Sequence, residues 1–381
     1  MFSKTEINTG RQIEFDYLKG WFIPLILLIH SFQLMGGQAA ETPAYKVIYI
    51  AATMTGSAIF LFVLGLGSTY SKRSVRQQIG YGVKLIILEF LWNALALAAP
   101  LLLGMGLRQV ASAETNWDAV FERIPMYLQY INIFFIAGVC YLLIALLRCL
   151  KMPTWGYFLL ALFFMIVNPF LYMNGKSTGY ELLDYVLATF TGGRPGVSLC
   201  TLAHIPYALL GVGFGKLLRL TENKGRLYAS MVLPLCGIII AYLIYSFSVN
   251  TGLNEWYAYA RSGYVYPGTL KALANCACVL LTAAAMYAVR NWIVKLRPLH
   301  NALLHFSRWN TPYYAVHPFY YSLLSALVLL APVSASVCLL LTPVNWLLCY
   351  VTICIYNRIK NRYKTRLLRK TELEVTTDVN R

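Results

Sequence analysis

Charge is what this sequence lacks most. Only 12% of its 381 residues are Asp, Glu, Lys or Arg, and 15 are acidic. A soluble domain carries about 25%, so a water-facing globular surface is excluded. Histidine is scarce as well, at five residues. No His, Cys, Asp and Glu set has metal-ligand spacing, so no metal is expected. The nine cysteines all lie in or beside apolar runs, not paired in polar loops, which excludes a disulfide framework. Cys276 and Cys278 have no companion ligands and read as small buried apolar residues. No internal repeat is visible, which weighs against transporter folds built from repeated halves. The first apolar run follows "RQIEFD" and has no small-residue cleavage site, so it is expected to stay in the chain.

Apolar residues are abundant. The chain is 59% hydrophobic with a mean hydropathy of +0.58. Runs near the ~20 residues that cross ~30 Å of hydrocarbon recur throughout. About ten spans can be drawn, at roughly 15–35, 47–68, 82–104, 125–147, 153–173, 197–217, 227–249, 268–290, 309–330 and 333–356. The fold expected is an all-α integral membrane bundle, one domain over 1–356 with a basic tail at 357–381.

The net charge of +17 does not indicate a nucleic-acid partner. The basic residues sit in short loops and in the tail "RIKNRYKTRLLRK", as cytoplasmic loops facing anionic lipid do. With the N-terminus inside, the outer loops hold only Lys46, Arg108, Arg123, Lys176, Arg194, Arg261 and Lys271. Both termini are therefore expected in the cytoplasm, and the chain in the plasma or bacterial inner membrane. The outer loops, such as "NTGLNEWYAYARSGYVYPG", are rich in aromatic residues. They suit a ring-shaped partner such as a sugar, and equally an interfacial aromatic belt. Nothing in the sequence fixes an oligomeric state.

The first span, "FDYLKGWFIPLILLIH", keeps Asp16, Lys19 and His30 in an apolar run. Charge at the bilayer centre costs about 2.5–3.5 kcal/mol on insertion scales, so such residues are candidates for function. Lys19 and His30 lie three turns and about 16 Å apart, on one helix face to within about 20°. Asp16 and Lys19 form an i,i+3 pair. They read either as part of a site or as an interfacial ion pair with the lysine snorkelling to headgroups. His30 reads as a catalytic imidazole or as a buried one bonded to a carbonyl.

"DYLKGWFIPLILLIH" resembles the first helix of the transmembrane acyltransferase-3 proteins, in which a basic residue precedes a His by eleven positions; here these are Lys19 and His30. The family usually has Arg where this chain has Lys19. "FLFVLGLGSTYSKRSVR" resembles the family's Phe-rich, Gly-containing second helix and its Arg-x-x-Arg element, filled by Arg73 and Arg76, with Leu64 where a Ser often precedes the Gly. "HFSRWNTPYYAVHPFYYSLL" resembles the late helix with a Tyr and then His317, and "HIPYALLGVGFGKLL" the Gly-punctuated middle helix. The heparan-glucosaminide acetyltransferase group shares a similar first-helix His.

The resemblance implies an O-acyltransferase that takes an acyl group, commonly acetyl, from cytoplasmic acyl-CoA. The group is delivered to a carbohydrate hydroxyl at the outer face. Arg73 and Arg76 would bind the CoA phosphates, with Lys72 and Lys84 adding charge. His30 would serve as general base or as nucleophile. Asp16 or Glu89 would orient an imidazole or pair with Lys19. Helix arithmetic puts His30 about 22 Å past Phe15 and His317 about 12 Å past Trp309, at different depths. His204 falls near the outer mouth, for acceptor binding or packing, while His300 and His305 read as solvated. A transporter or flippase of a lipid-linked sugar would also explain the spans and buried charges.

Overall fold

The computed structural model describes residues 2–35, 42–110, 117–173, 177–192, 199–327 and 333–379. Lys176 and Arg194, counted above with the outer loops, lie outside them. Among the described residues there are helices and no strand. The helices are α1 (Ile13–Met35), α2 (Pro43–Thr53), α3 (Gly56–Tyr70), α4 (Val75–Trp92), α5 (Ala99–Val110), α6 (Trp117–Leu128), α7 (Ile133–Cys149) and α8 (Thr154–Met173). They continue with α9 (Glu181–Thr191), α10 (Thr201–Leu220), α11 (Lys224–Val249), α12 (Leu253–Val265), α13 (Thr269–Lys295), α14 (Arg297–Arg308), α15 (Asn310–Leu327) and α16 (Ala335–Val379).

Eight of the rods they form are long and apolar enough to cross a membrane. Two are composite. A break at Met54–Thr55 divides the span Pro43–Tyr70 into α2 and α3. The 36-residue span Val75–Val110 runs through α4, a π-helical turn at Asn93–Ala98, and α5. A helix with one apolar stripe rests on a core, whereas one apolar all round is enclosed or faces lipid. The central α10 has 78% of its apolar window buried; the outer α11 has 22%, with Leu233, Ile244 and Phe247 facing outward.

A second sequence-expected span, besides the one broken at Met54–Thr55, is not a continuous helix. The stretch 125–147 is divided between the end of α6 and the whole of α7, which is only 17 residues long. Residues 129–132 between them are not α-helical. Asn93 supports the break by donating from Nδ2 to the Tyr130 carbonyl at 2.7 Å and the Leu128 carbonyl at 3.3 Å. Asn132 caps α7 by accepting from the Ile133 N–H at 2.8 Å. Hydropathy averaged over twenty residues cannot register four polar-bonded ones.

The connecting segments gather at two ends. At one, Ser3 and Ile7 donate their backbone N–H groups to Leu220 and Arg219, Arg148 reaches the Arg73 carbonyl, Lys216 the Met152 carbonyl, and α14 lies against α1. At the other, Lys46 bonds Asn254, the Cys200 N–H bonds Val265, Tyr185 bonds the Gln129 carbonyl, and the Val333 N–H bonds Met35. The first end holds the segments assigned inside from their basic residues, and it is called the basic end below.

The tightest helix pair is α3 against α10, and it rests on two glycines. A Cβ on Gly65 would overlap the Ala208 carbonyl oxygen, and one on Gly211 would overlap that of Phe62. Small residues let backbones approach where no hydrophobic drive operates between helices in lipid. Overpacking costs about 1–3 kcal/mol or more where the backbone must move. Gly65→Val and Gly211→Val should each lower the thermal unfolding midpoint in detergent, whereas Gly67→Val, which meets open space, should not.

Candidate functional site

The structure brings His30 and His317 together. His30 Nδ1 lies 2.6 Å from His317 Nε2, and the rings overlap with centroids 4.8 Å apart. This differs from the depths expected from helix arithmetic. Asp16 of α1 is level with Ser307 of α14, bonded at 2.8 Å, and α15 starts only at Asn310, which shares a cavity wall with Lys19. Counting from Lys19 instead of Phe15 removes about 6 Å of the mismatch, and the crossing of α1 with α15 takes up the rest. One bond ties α1 to α15 here and another ties α1 to α16. Tyr321 donates to the Leu27 carbonyl at 3.0 Å, and the Ser31 and Thr342 hydroxyls meet at 3.0 Å.

The hydrogen bonds assign the protons of a neutral pair. His317 Nδ1 faces the Tyr313 carbonyl at 3.0 Å, so it carries a hydrogen. His317 Nε2 is then the acceptor, and His30 Nδ1–H is the donor to it. That leaves the lone pair on His30 Nε2. His317 is fully buried; His30 retains accessible surface, and that surface opens into a cavity.

The cavity has a volume of about 500 Å³ and lies toward the end opposite the basic one, between His30, Asn132, Tyr257, Arg261 and Tyr314. A second cavity, of about 220 Å³, runs in from the basic end past Lys19, Tyr81, Tyr141, Asn310 and Tyr314. Among the described residues, Tyr314 alone lines both. Its ring stacks on Trp92 with centroids 6.2 Å apart and lies 5.6 Å from the His317 ring and 6.4 Å from the His30 ring. Its hydroxyl donates to Asn132 Oδ1 at 2.9 Å. The sequence offered a signal for Tyr314, since i,i+3 spacing puts it on the face of His317. The polar Asn132 and Asn93, set in apolar runs, carry the same kind of signal.

Asp16 and Lys19 form the expected pair, with Nζ 3.2 Å from Oδ1. Asp16 also binds Arg11 and the Ser307 hydroxyl. It orients no imidazole; about 21 Å of helix separates it from His30. Lys19 lines the basic-end cavity, about 16 Å from His30. Arg73 stands at that cavity's rim, its guanidinium 4.2 Å from the centre of the Tyr81 ring. Arg73 lies in the segment before α4, whereas Arg76 is exposed in the first turn of α4 and lines neither of these two cavities. Glu89 meets neither Lys19 nor Lys84. Its Oε2 accepts the Phe135 N–H at 2.9 Å, placing a carboxylate at the start of α7.

The remaining histidines sit apart from the pair. His204 is buried, with Nδ1 2.7 Å from the Cys200 carbonyl, and lines no cavity. His300 and His305 are not simply solvated. Each is half-buried against a tyrosine of a neighbouring helix, with Tyr17 Oη 2.8 Å from His300 Nδ1 and Tyr313 Oη 3.1 Å from His305 Nε2. Burial, and then the charge of Arg308, pushes the His305 imidazole below its ordinary value. Among the described residues, no group of three His, Cys, Asp or Glu could hold a metal. No family model, curated protein or solved structure matches this chain.

The position of Glu89 generates a test of its role. Removing its carboxylate leaves a buried helix-start N–H unsatisfied, at a cost of about 1–3 kcal/mol. Glu89→Ala should lower the thermal midpoint, and Glu89→Gln, which keeps an acceptor oxygen, should restore most of it. Equal destabilisation by the two substitutions would show that charge, not acceptance of the Phe135 N–H, is what α7 requires.

Proposed function

We propose that this protein is a membrane O-acyltransferase of the kind the acyltransferase-3 resemblance implies. It moves an acyl group, with acetyl the first candidate, from cytoplasmic acyl-CoA to a hydroxyl of a carbohydrate or cell-envelope glycan on the other side. The observation that carries this reading is the His30–His317 pair beside Tyr314, which among the described residues alone lines both of two cavities that enter from opposite ends. A transfer between substrates on two sides of a membrane needs two such entrances and a base where they meet.

In this reading the basic end faces the cytoplasm, and the expected tenfold crossing includes α7 and α15 beside the eight long rods. CoA phosphates dock near Arg73, with Arg76 and Lys72 adding to the field. The pantetheine arm enters past Lys19, whose charge Asp16 holds in place. The acceptor occupies the larger cavity. His30 Nε2 removes the acceptor's hydroxyl proton as the oxygen attacks the thioester carbon. A C–O bond forms, the C–S bond breaks, and the proton passes from His30 to the departing CoA thiolate. His317 is a positioning residue, holding His30 in the tautomer with Nε2 free. The same lone pair would serve a nucleophile, giving an acyl-imidazole that the acceptor then resolves. Radiolabel retained on the chain after acetyl-CoA alone would identify that route.

The two cavities also suit a transporter or flippase that passes a small solute between them. Acetyl-CoA-dependent acylation by purified protein separates the two readings, because a transporter gives none and moves solute without CoA.

His30→Gln keeps a hydrogen-bonding side chain but loses proton transfer, so transfer should fall about 10²–10⁴-fold. CoA binding at the basic end should survive. His317→Gln retains an acceptor oxygen for His30 and should lose less than His317→Ala. Near-normal turnover in His30→Gln would remove the base assigned here. Arg73→Ala should weaken acetyl-CoA binding, and Arg73→Ala with Arg76→Ala should weaken it further. Both effects should shrink as salt rises. An unchanged dissociation constant in the double variant would move the phosphate site elsewhere.

A further inference from the structure

The end opposite the basic one has few cations, and the structure accounts for most of the described ones. Arg108 is bonded to the Leu327 carbonyl. Lys271 is buried and donates to the Ala260 carbonyl at 3.0 Å, pinning α12 to α13. Lys46 donates to Asn254 Oδ1 at 2.8 Å and lies 5.6 Å from the centre of the Tyr257 ring. Arg261 is different. Among the described residues its guanidinium has no hydrogen bond or ion pair, and it is exposed on the wall of the cavity that holds His30. It also lines the adjoining open cleft with Lys46, Asn254 and Tyr257.

Among the described residues, no Asp or Glu lines the cavity or the cleft. The acidic residue of α12, Glu255, is turned back onto the Thr251 N–H and hydroxyl at 2.7 and 2.8 Å. Membrane sidedness does not explain a free arginine here, because it places cations at the other end. A cavity with low-dielectric walls and charge of one sign focuses its field on an incoming anion. The guanidinium fork matches a carboxylate or phosphate with two parallel bonds. The walls between Arg261 and His30 include Tyr45, Tyr49, Tyr257 and Tyr264, flat faces suited to a ring. The volume is in the range of small-molecule sites, about 300–1,000 Å³.

We infer that the larger cavity takes an anionic sugar. Arg261 binds its carboxylate or phosphate, Lys46 strengthens the field, and a hydroxyl of the same molecule reaches His30. The hydroxyl's role rests on the acyltransferase reading; the anion subsite does not.

The test is direct binding to the full chain in phosphatidylcholine nanodiscs, with methyl glucoside, glucuronate and glucose 6-phosphate as probes. At least one anionic probe should bind about tenfold tighter than the neutral one, the difference that one charge-assisted contact supplies. Added salt should reduce the preference. Arg261→Gln should abolish it, and Arg261→Lys should keep part of it. Preference for glucuronate or for glucose 6-phosphate tells which group Arg261 holds. Equal affinity for all three probes, or a preference that survives Arg261→Gln, overturns the inference. So does loss of the preference when phosphatidylglycerol is added to the disc, which would make a lipid headgroup the occupant. Acetyl-CoA is then added to the same samples. Arg261-dependent binding without acetylation leaves the anion subsite in place and removes the acyltransferase reading, and acetylation without anion preference does the reverse.

Discussion

The start of α7 is the constraint on which the rest of this structure depends. A chain that interrupts a helix within hydrocarbon exposes backbone groups that lipid cannot satisfy, at several kcal/mol each. The interruption at residues 129–132 lies against the middle of the long rod Val75–Val110. Three polar side chains make it tolerable. Glu89 takes the Phe135 N–H, Asn93 supplies the Leu128 and Tyr130 carbonyls, and Asn132 takes the Ile133 N–H. The gap that results separates two apolar walls. Tyr130 and Asn132 face one cavity, while Ile133 and Phe134 face the other. These polar residues are therefore structural, and what they hold open is the space in which chemistry is proposed.

The histidine pair is built on the same economy of polar groups. A buried imidazole has two nitrogens to satisfy, and here a backbone carbonyl takes one and a second imidazole the other. Pro318 follows immediately and cannot donate to the Tyr314 carbonyl, which loosens the helix at this turn. The bonds from Tyr321 to Leu27 and from Asn345 to the His317 carbonyl restore the rigidity. In the proposed reaction, that fixed arrangement means little reorganisation accompanies proton transfer, which is the main way polar sites gain rate.

Much of the framework was legible in the sequence. The all-α membrane character follows from hydropathy alone, and the grouping of connecting segments at two ends follows the distribution of Lys and Arg. The Asp16–Lys19 pair follows from helical spacing, and it stands in the structure. His30 stands out in the sequence because a titratable group in hydrocarbon is costly. Its partner did not follow, since His317 is 287 positions away and no local rule sets the relative depth of two helices. The break before α7 was hidden because apolar residues flank it on both sides. His300 and His305 looked solvated because their loop is basic, yet α14 folds back on α1 and turns both rings inward against tyrosines. What the sequence could not reveal is contact between distant helices.

The thinness of the barrier at Tyr314 has an electrical consequence. The two cavities approach each other from opposite ends and leave little more than the Tyr314 ring and its neighbours between them. With water in both cavities, a transmembrane voltage would drop across that short distance instead of about 30 Å of hydrocarbon. One elementary charge moved through it gains or loses about 2.3 kcal/mol per 100 mV. In the proposed reaction, a step that shifts a proton or a negative oxygen past Tyr314 would therefore be driven or opposed by a membrane potential.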